Sequence, residues 1–396
     1  MRTRICELFE IDVPVFAFSY RREVVAAVSR AGGMGVLGAV QFSPEQLEEE
    51  LCWLDAHVDG KPYGVDVVMP TRYEGAERGG LSKAELELLI PEGHRRYVEE
   101  VLTRYEVPGL PPEVSAHESL LGWSEAAGRS QVAVALRHPV RLIANALGTP
   151  PRDVVDEAHR RGVQVVALVG TAAHARKQAE VGVDVVVAVG TEAGGHTGEI
   201  GTMVLVPEVV DAVHPIPVLA AGGIGRGRQL AAALALGAEG VWTGSLWLGV
   251  EEARLHPVLR DKLLAATSGD TVRSRSMSGK PARLLKTAWT EAWDGGESPG
   301  TLPMPLQFML TADAVTRMHH HASTPGSRAH ELLGSPVGQI VGSMREVRPT
   351  HEVLESLEAE FREVMLRMRG LENAGTSGHQ PDSARRGATG TRRGSE

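Results

Sequence analysis

Short runs of β-branched and aliphatic residues recur along this chain, each trailed by a stretch whose apolar positions repeat at helical spacing. Val13–Phe18 is the first run, and Arg21–Ala31 behind it carries Val24, Val25 and Val28 on one side. Apolar runs bounded by turn residues read as buried strands, and apolar positions three or four apart read as one helix face. Met34–Leu37 is then the second strand, after the Gly32-Gly33 stop. Pro44–His57 is the next helix, with Ser43 as its N-cap and Pro44 at its first position. Gly64–Met69 is the third strand. The alternation lapses between about residues 71 and 140, where Ser82–Leu89 is acidic and amphipathic, His94–Tyr105 is helical and Pro108–Pro112 bends the chain. This stretch reads as a helical insertion that either covers the mouth of the fold or decorates its side.

Regular alternation resumes with strands at Arg141–Asn145, Gln164–Leu168, Val185–Val189, Val218–Ala221 and Gly240–Trp242, and with helices at Asp153–Arg161 and Ala172–Val181. Eight strands alternating with helices through short connections imply right-handed crossovers and a parallel sheet. The expected fold is α/β, a (β/α)8 TIM barrel over residues 1–250, with a doubly wound open sheet as the competing topology. Residues 251–370 form a mostly helical extension packing on the barrel, with a mixed region (Lys280–Trp293), a Pro/Gly loop (Gly295–Pro305) and a long amphipathic helix (Thr350–Arg369). The tail, residues 371–396, is rich in Gly, Ser and Arg and is expected to be disordered.

Composition narrows the possible partners. With 42% hydrophobic residues among 396, the chain can bury a large core. Its net charge of −9, mixed along the sequence, disfavours nucleic acid, which needs a basic face. Cys6 and Cys52 are the only cysteines, so neither a disulfide framework nor a cysteine-rich zinc site is available. No apolar run approaches a membrane span and the N-terminus lacks a secretory apolar region, so a cytoplasmic location is expected. His319, His320 and His321 are consecutive and point in different directions on a helix. They read as a solvated face, and no metal site is expected.

The chemistry concentrates between Val185 and Ser245. Three strands there deliver glycines, a histidine and small hydroxyls to their C-terminal ends, the catalytic end of a parallel barrel. Gly222-Gly223 and Gly244-Ser245 close strands seven and eight, where backbone N–H groups and a helix N-terminus can cradle a phosphate. His196 follows Gly194-Gly195, so its ring should project into the mouth and hold or take a proton. The run from Gly222 to Gly227 is not a dinucleotide fingerprint: Arg228 stands where the third glycine belongs, and no acidic residue follows at the ribose position. Asp66 lies mid-strand. A buried carboxylate needs a partner, either a cofactor ring nitrogen or ribityl hydroxyl at the mouth, or an arginine on a covering helix.

The segments GTEAGGHTG and PVLAAGGIGRGRQLAAALALGAEGVWTGS resemble the signature of the nitronate monooxygenase (2-nitropropane dioxygenase) family. VVAAVSRAGGMGVLG, YGVDV and SGKPARLL support the likeness, which touches roughly residues 10–70 and 140–350. Members of that family are FMN-dependent barrels. The resemblance implies that His196 removes the α-proton of a neutral nitroalkane or orients a nitronate, and that Gly194 and Gly195 lie along the flavin. It also implies that Gly222, Gly223, Gly244 and Ser245 hold the FMN phosphate, with dioxygen as co-substrate. Four cofactor positions depart from the family pattern. Ala17-Phe18-Ser19 stand where an Ala-Pro-Met-like triplet is usual, Asp66 where Asn is, Val189 where Gln is, and Trp242-Thr243 where Gln-Met is. The alternative functions are an NAD(P)H-dependent flavin reductase of the quinone or enoyl-acyl-carrier type, and a non-catalytic flavin-binding protein. An IMP-dehydrogenase-like barrel is set aside, because Cys6 and Cys52 are in the wrong places for its nucleophile. A homo-oligomer is compatible with the sequence.

Overall fold

The structure is a computed structural model that describes residues 1–70, 81–114, 124–376 and Gly394. Its strands in chain order are β1 (Val15–Ser19), β2 (Met34–Gly38), β3 (Tyr63–Val68), β4 (Leu142–Ala146), β5 (Gln164–Val169) and β6 (Val185–Val189). A two-residue strand, β7 (Gly195–His196), stands apart, followed by β8 (Val218–Ala221) and β9 (Gly240–Thr243). All but β7 pair in parallel into a closed barrel. Closure rests on β1, whose Phe16 is in register with Met34 of β2 on one side and Trp242 of β9 on the other. An open doubly wound sheet would leave β1 and β9 apart, so the barrel is the correct topology.

Alternation along each strand sorts the apolar residues into two layers. Phe16, Met34, Val36, Leu142, Val166, Val187 and Leu219 fill the interior. Val15, Ala17, Leu37, Val65, Ile143, Val186 and Ala220 face the helices. The N-terminal helix α1 (Arg4–Phe9) plugs the bottom with Ile5, Cys6 and Phe9, and the Phe9 ring meets Phe16 edge-on at 5.3 Å. Each such buried side chain contributes about 2 kcal/mol.

The outer helices begin with α2 (Arg22–Arg30) and α3 (Pro44–His57). The latter starts at a capping box, in which Ser43 Oγ accepts from Gln46 N–H at 3.2 Å and Gln46 Oε1 accepts from Ser43 N–H at 2.9 Å. Next come α4 (Lys83–Leu88), α5 (Glu92–Arg104) and α6 (Glu125–Ala135). The α6 helix packs on α3 and β3, so the third barrel helix lies inside the stretch read from sequence as an insertion. Ser124 caps it through Ala127 N–H. The ring continues with α7 (Arg152–Arg160), α8 (Ala172–Glu180), α9 (Thr202–Val213) and α10 (Gly227–Ala235).

A second body, the cap, contains α11 (Pro257–Ala265), α12 (Ala288–Asp294), α13 (Leu306–His321) and α14 (Ala329–Leu332). The α4 and α5 helices join it: Leu86, Tyr97, Val101 and Leu102 share one apolar cluster with Trp289, Trp293, Leu306 and Leu310. Two distant pieces of sequence thus build one cap. The last helix, α15 (Thr350–Thr376), returns to the barrel and packs on α10 and α2, which makes it the eighth barrel helix. The approach to α10 is close, since a Cβ on Gly227 would lie 2.2 Å from Leu357 O. The larger piece of the cap, α11 to α14, is therefore an excursion within the last strand-to-helix connection, and the barrel runs beyond residue 250. Its two ends clasp: Glu251 N–H donates to Arg348 O at 3.1 Å, and Arg348 N–H donates to Gly249 O at 3.2 Å. The long helix foreseen to Arg369 continues to Thr376, so residues 371–376 of the expected disordered tail are helical; the rest of that tail lies, except for Gly394, outside the described residues. No described helix is long and apolar enough to cross a membrane.

Candidate active site

A cavity of about 1730 Å³ opens at the C-terminal ends of the barrel strands, roofed by α13. Small-molecule clefts usually span about 300–1,000 Å³, so this one has room for a cofactor and a substrate together. Among the described residues, none from α4 or α5 lines it; those helices back α13 from the far side.

One corner is built from backbone. Gly222 has φ +108° and Gly223 φ +66°, and a Cβ on Gly222 would meet Thr202 Oγ1 at 2.7 Å and Gly190 O at 3.0 Å. Only glycine serves there. Among the described residues, the N–H groups of Gly223 and Ile224 meet no acceptor, and both residues line the cavity. Arg226 turns away, pairing with Glu360 of α15 at 2.7 Å, so positive potential at this corner comes from amides rather than from that side chain. Ser245 Oγ accepts from Gly338 N–H at 2.8 Å, which leaves its hydroxyl proton to donate. Gly244 is open: the nearest atom to a Cβ added there would be Phe18 Cδ1, at 3.9 Å. Gly222-Gly223 and Gly244-Ser245, at the ends of the paired strands β8 and β9, thus lie at one corner.

The loop after β6, which adjoins this corner, carries His196. Its two-residue strand β7 pairs antiparallel with β11 (Ala282–Leu285), which pairs with β10 (Thr271–Ser274), so the histidine loop is stitched to the cap. Ala282 is in register with His196 and Arg283 with Gly195. His196 Nε2 lies 2.6 Å from Ser278 Oγ, and Arg283 Nε donates to Thr191 O at 2.8 Å. Gly194 is forced by close packing, because a Cβ there would sit 2.8 Å from Gly338 N. Gly195, at φ +76°, has nothing within 4 Å on its Cβ side and leaves the wall open to a flat ligand. Burial and the Lys280 ammonium push the imidazole down to about 4, so it is neutral near pH 7. The sequence alone does not place Ser278 and Lys280 in the site. Both lie in SGKPARLL, whose contribution is visible only once β11 is paired with β7.

The remaining expected residues divide. Phe18, Ser19, Val189 and Trp242 line the cavity, and the Trp242 ring lies nearly parallel to Phe16 at 6.1 Å. Ala17 does not line it: strand alternation turns its methyl outward beneath the helices. Thr243 Oγ1 donates to Phe16 O at 2.8 Å and accepts from Trp247 Nε1 at 2.9 Å, so its hydroxyl is committed to the fold. Asp66 faces inward and lines the cavity, which removes the outward arginine pairing. It is 7% exposed, its Oδ1 has no hydrogen-bond partner, and burial pushes its carboxyl up to about 8. The histidine run at the end of α13 is not one solvated face. His319 lines the cavity, and His321 is buried, within 3.1 Å of Gly109 O.

Comparison with known proteins matches this arrangement to a family. The nitronate monooxygenase family model matches residues 2–360. The Mycobacterium tuberculosis protein Rv1533, named as a monooxygenase with no substrate specified, is 55% identical over 94% of this chain and 99% of its own length. Among solved structures, nitroalkane oxidase from Streptomyces ansochromogenes superposes with a TM-score of 0.74 at 26% identity, covering 92% of this chain and 99% of that one. FabK from Thermotoga maritima gives 0.69 at 28% identity, covering 94% and 99%. The chain is an oxidoreductase with a TIM-barrel fold and belongs to the nitronate monooxygenase family.

Proposed function

We propose that this protein oxidises alkyl nitronates, and the nitroalkanes from which they form, with dioxygen and bound FMN. The observation that carries the reading is the pairing of a neutral His196, held by Ser278 beside Lys280, with an amide cradle at Gly222-Gly223 in the same cavity. The residues fit the cofactor. Unengaged N–H groups and the Ser245 hydroxyl suit a phosphate, Gly194 and Gly195 leave a flat wall for a ring, and Asp66 offers an unpartnered polar atom. FMN, when bound, supplies the two-electron redox chemistry and the reaction with dioxygen.

The chain's own part is to move one proton and to hold an anion. His196 would take the α-proton of a nitroalkane onto its ring while Ser278 fixes the orientation of that ring. The imidazole is a weak base in the free protein, because the charge on Lys280 and desolvation both oppose its protonation. A nitronate forming between His196 and Lys280 reverses that balance: its negative charge stabilises imidazolium and ammonium together. Trp242 and Val189 narrow the interior side of the cavity with apolar surface.

The size of the cavity also suits a nicotinamide donor, which keeps an NAD(P)H-dependent reductase as the second reading. Anaerobic mixing separates the two. The protein loaded with FMN is expected to lose its flavin colour with an alkyl nitronate and to keep it with NADH or NADPH. Bleaching by the nicotinamide alone would make the protein a reductase.

A further inference from the structure

Asp66 is the one ionisable side chain that the barrel strands turn inward among the described residues. Asp66 sits on β3 between Gly38 of β2 and Ala144 of β4, neither of which can hydrogen-bond through a side chain. No described residue hydrogen-bonds to its carboxyl, and Oδ1 is buried without a partner at the edge of the cavity. A carboxylate in that position would be an unpaired buried charge, disfavoured by several kcal/mol. A carboxylic acid would not, and its O–H calls for an acceptor that the flanking Gly38 and Ala144 do not supply through a side chain.

We propose that Asp66 works as a neutral carboxylic acid, donating a hydrogen bond to an acceptor atom of the bound flavin, a carbonyl oxygen or an imine nitrogen. The proposal rests on the FMN reading above. It also accounts for the departure at this position. An asparagine amide and a protonated aspartic acid are both neutral donors of nearly the same shape, so replacing one by the other keeps the hydrogen bond while the proton stays on. The exchange then adds something the amide lacks: loss of the proton turns a donor into an anion beside an electron-rich ring. Other charges do not supply this dependence. Tyr20, next to the same strand layer, feels the Asp66 charge. Arg21, His174, Lys177, His196, Lys280 and His319 line the cavity. Burial alone, with no counter-charge, raises the carboxyl.

The test is FMN affinity, read by quenching of flavin fluorescence, from pH 6.5 to 9.5 in the wild-type protein and in Asp66→Asn and Asp66→Ala. Wild-type affinity should fall by about tenfold per pH unit once the carboxyl deprotonates. Asp66→Asn should bind as tightly as wild type at pH 6.5 and show no such fall, which also controls for every other titrating group. Asp66→Ala should bind about tenfold more weakly at pH 6.5, with circular dichroism confirming that each variant is folded. Tight wild-type binding that is flat with pH, or that strengthens as pH rises, overturns the proposal and leaves the cofactor reading intact. Failure of wild type to bind FMN at any pH overturns both.

Discussion

His196 Nε2 and Ser278 Oγ stand 2.6 Å apart although 82 residues separate them in the chain. The histidine is presented by a barrel loop, whereas the serine is presented by the cap. One hydrogen bond of this kind is worth about 1 kcal/mol. Ser278→Ala should therefore lower kcat for a neutral nitroalkane by about fivefold with little change in KM. Preformed nitronate, which needs no proton removed, should be turned over at nearly the wild-type rate. Steady-state kinetics on both substrates tests this; equal losses would reduce Ser278 to a packing role.

Replacing the proposed base, His196, should act in the same direction and further. His196→Asn is expected to cut turnover of neutral nitroalkane by about 10²–10⁴-fold and turnover of preformed nitronate far less. Because burial and Lys280 hold the imidazole down to about 4, the wild-type enzyme keeps its base form across the neutral range. The kcat/KM for a neutral nitroalkane should then decline only as pH falls toward 4. A decline centred near the ordinary histidine value would contradict the assignment.

The two glycine pairs at the cradle can be told apart. Gly222→Ala forces a Cβ against Thr202 Oγ1 at φ +108° and should destabilise the fold by about 1–3 kcal/mol. Gly244→Ala meets no atom closer than 3.9 Å and has a negative φ, so the melting temperature should barely move. Thermal melts with and without FMN separate the effects. Weakened FMN binding in a normally stable Gly244→Ala protein would locate the ligand at that glycine.

The buried carboxyl also predicts how the cofactor-free protein responds to pH. Asp66 binds its proton up to about pH 8 when folded, but only to about pH 4 when unfolded, so the folded state holds the extra proton in that window. Stability from this group is present at low pH and is lost as pH rises from about 4 to about 8, at about 1.4 kcal/mol per unit. Asp66→Asn removes that slope. Urea unfolding should find the variant more stable than wild type by a few kcal/mol at pH 8 and similar to it near pH 4. A variant less stable at pH 8 would mean that the carboxylate is paired after all.

The barrel strands were legible because they are short and mostly apolar on both faces, which leaves few other ways to bury Val185–Val189 or Val218–Ala221. The eighth helix was harder to assign. Thr350–Arg369 reads as amphipathic, but nothing local says that it docks on Gly227 after a long excursion. The strand at Gly195–His196 has two residues and no periodicity, so its partner at Ala282–Arg283 exists only in three dimensions. Asp66 was ambiguous for a related reason: alternation fixes its face only when the register of β3 with β4 is known. Glycines were the most readable site residues, since positive φ and close backbone approach leave no substitute at Gly222 or Gly194.

The clasp between Glu251 and Arg348 makes the stretch of cap between them equivalent, from the barrel's side, to one tight loop. Such an insert can lengthen or shrink without disturbing strand closure, provided the Gly338 N–H that holds Ser245 stays in place. Ser278, Lys280 and the α13 roof all travel with it. In the proposed reading the barrel keeps His196 and the glycine corner, while Ser278, Lys280 and the roof that complete the site belong to a separable unit. Divergence among relatives should accumulate in that unit, changing what is oxidised while leaving how the cofactor is held.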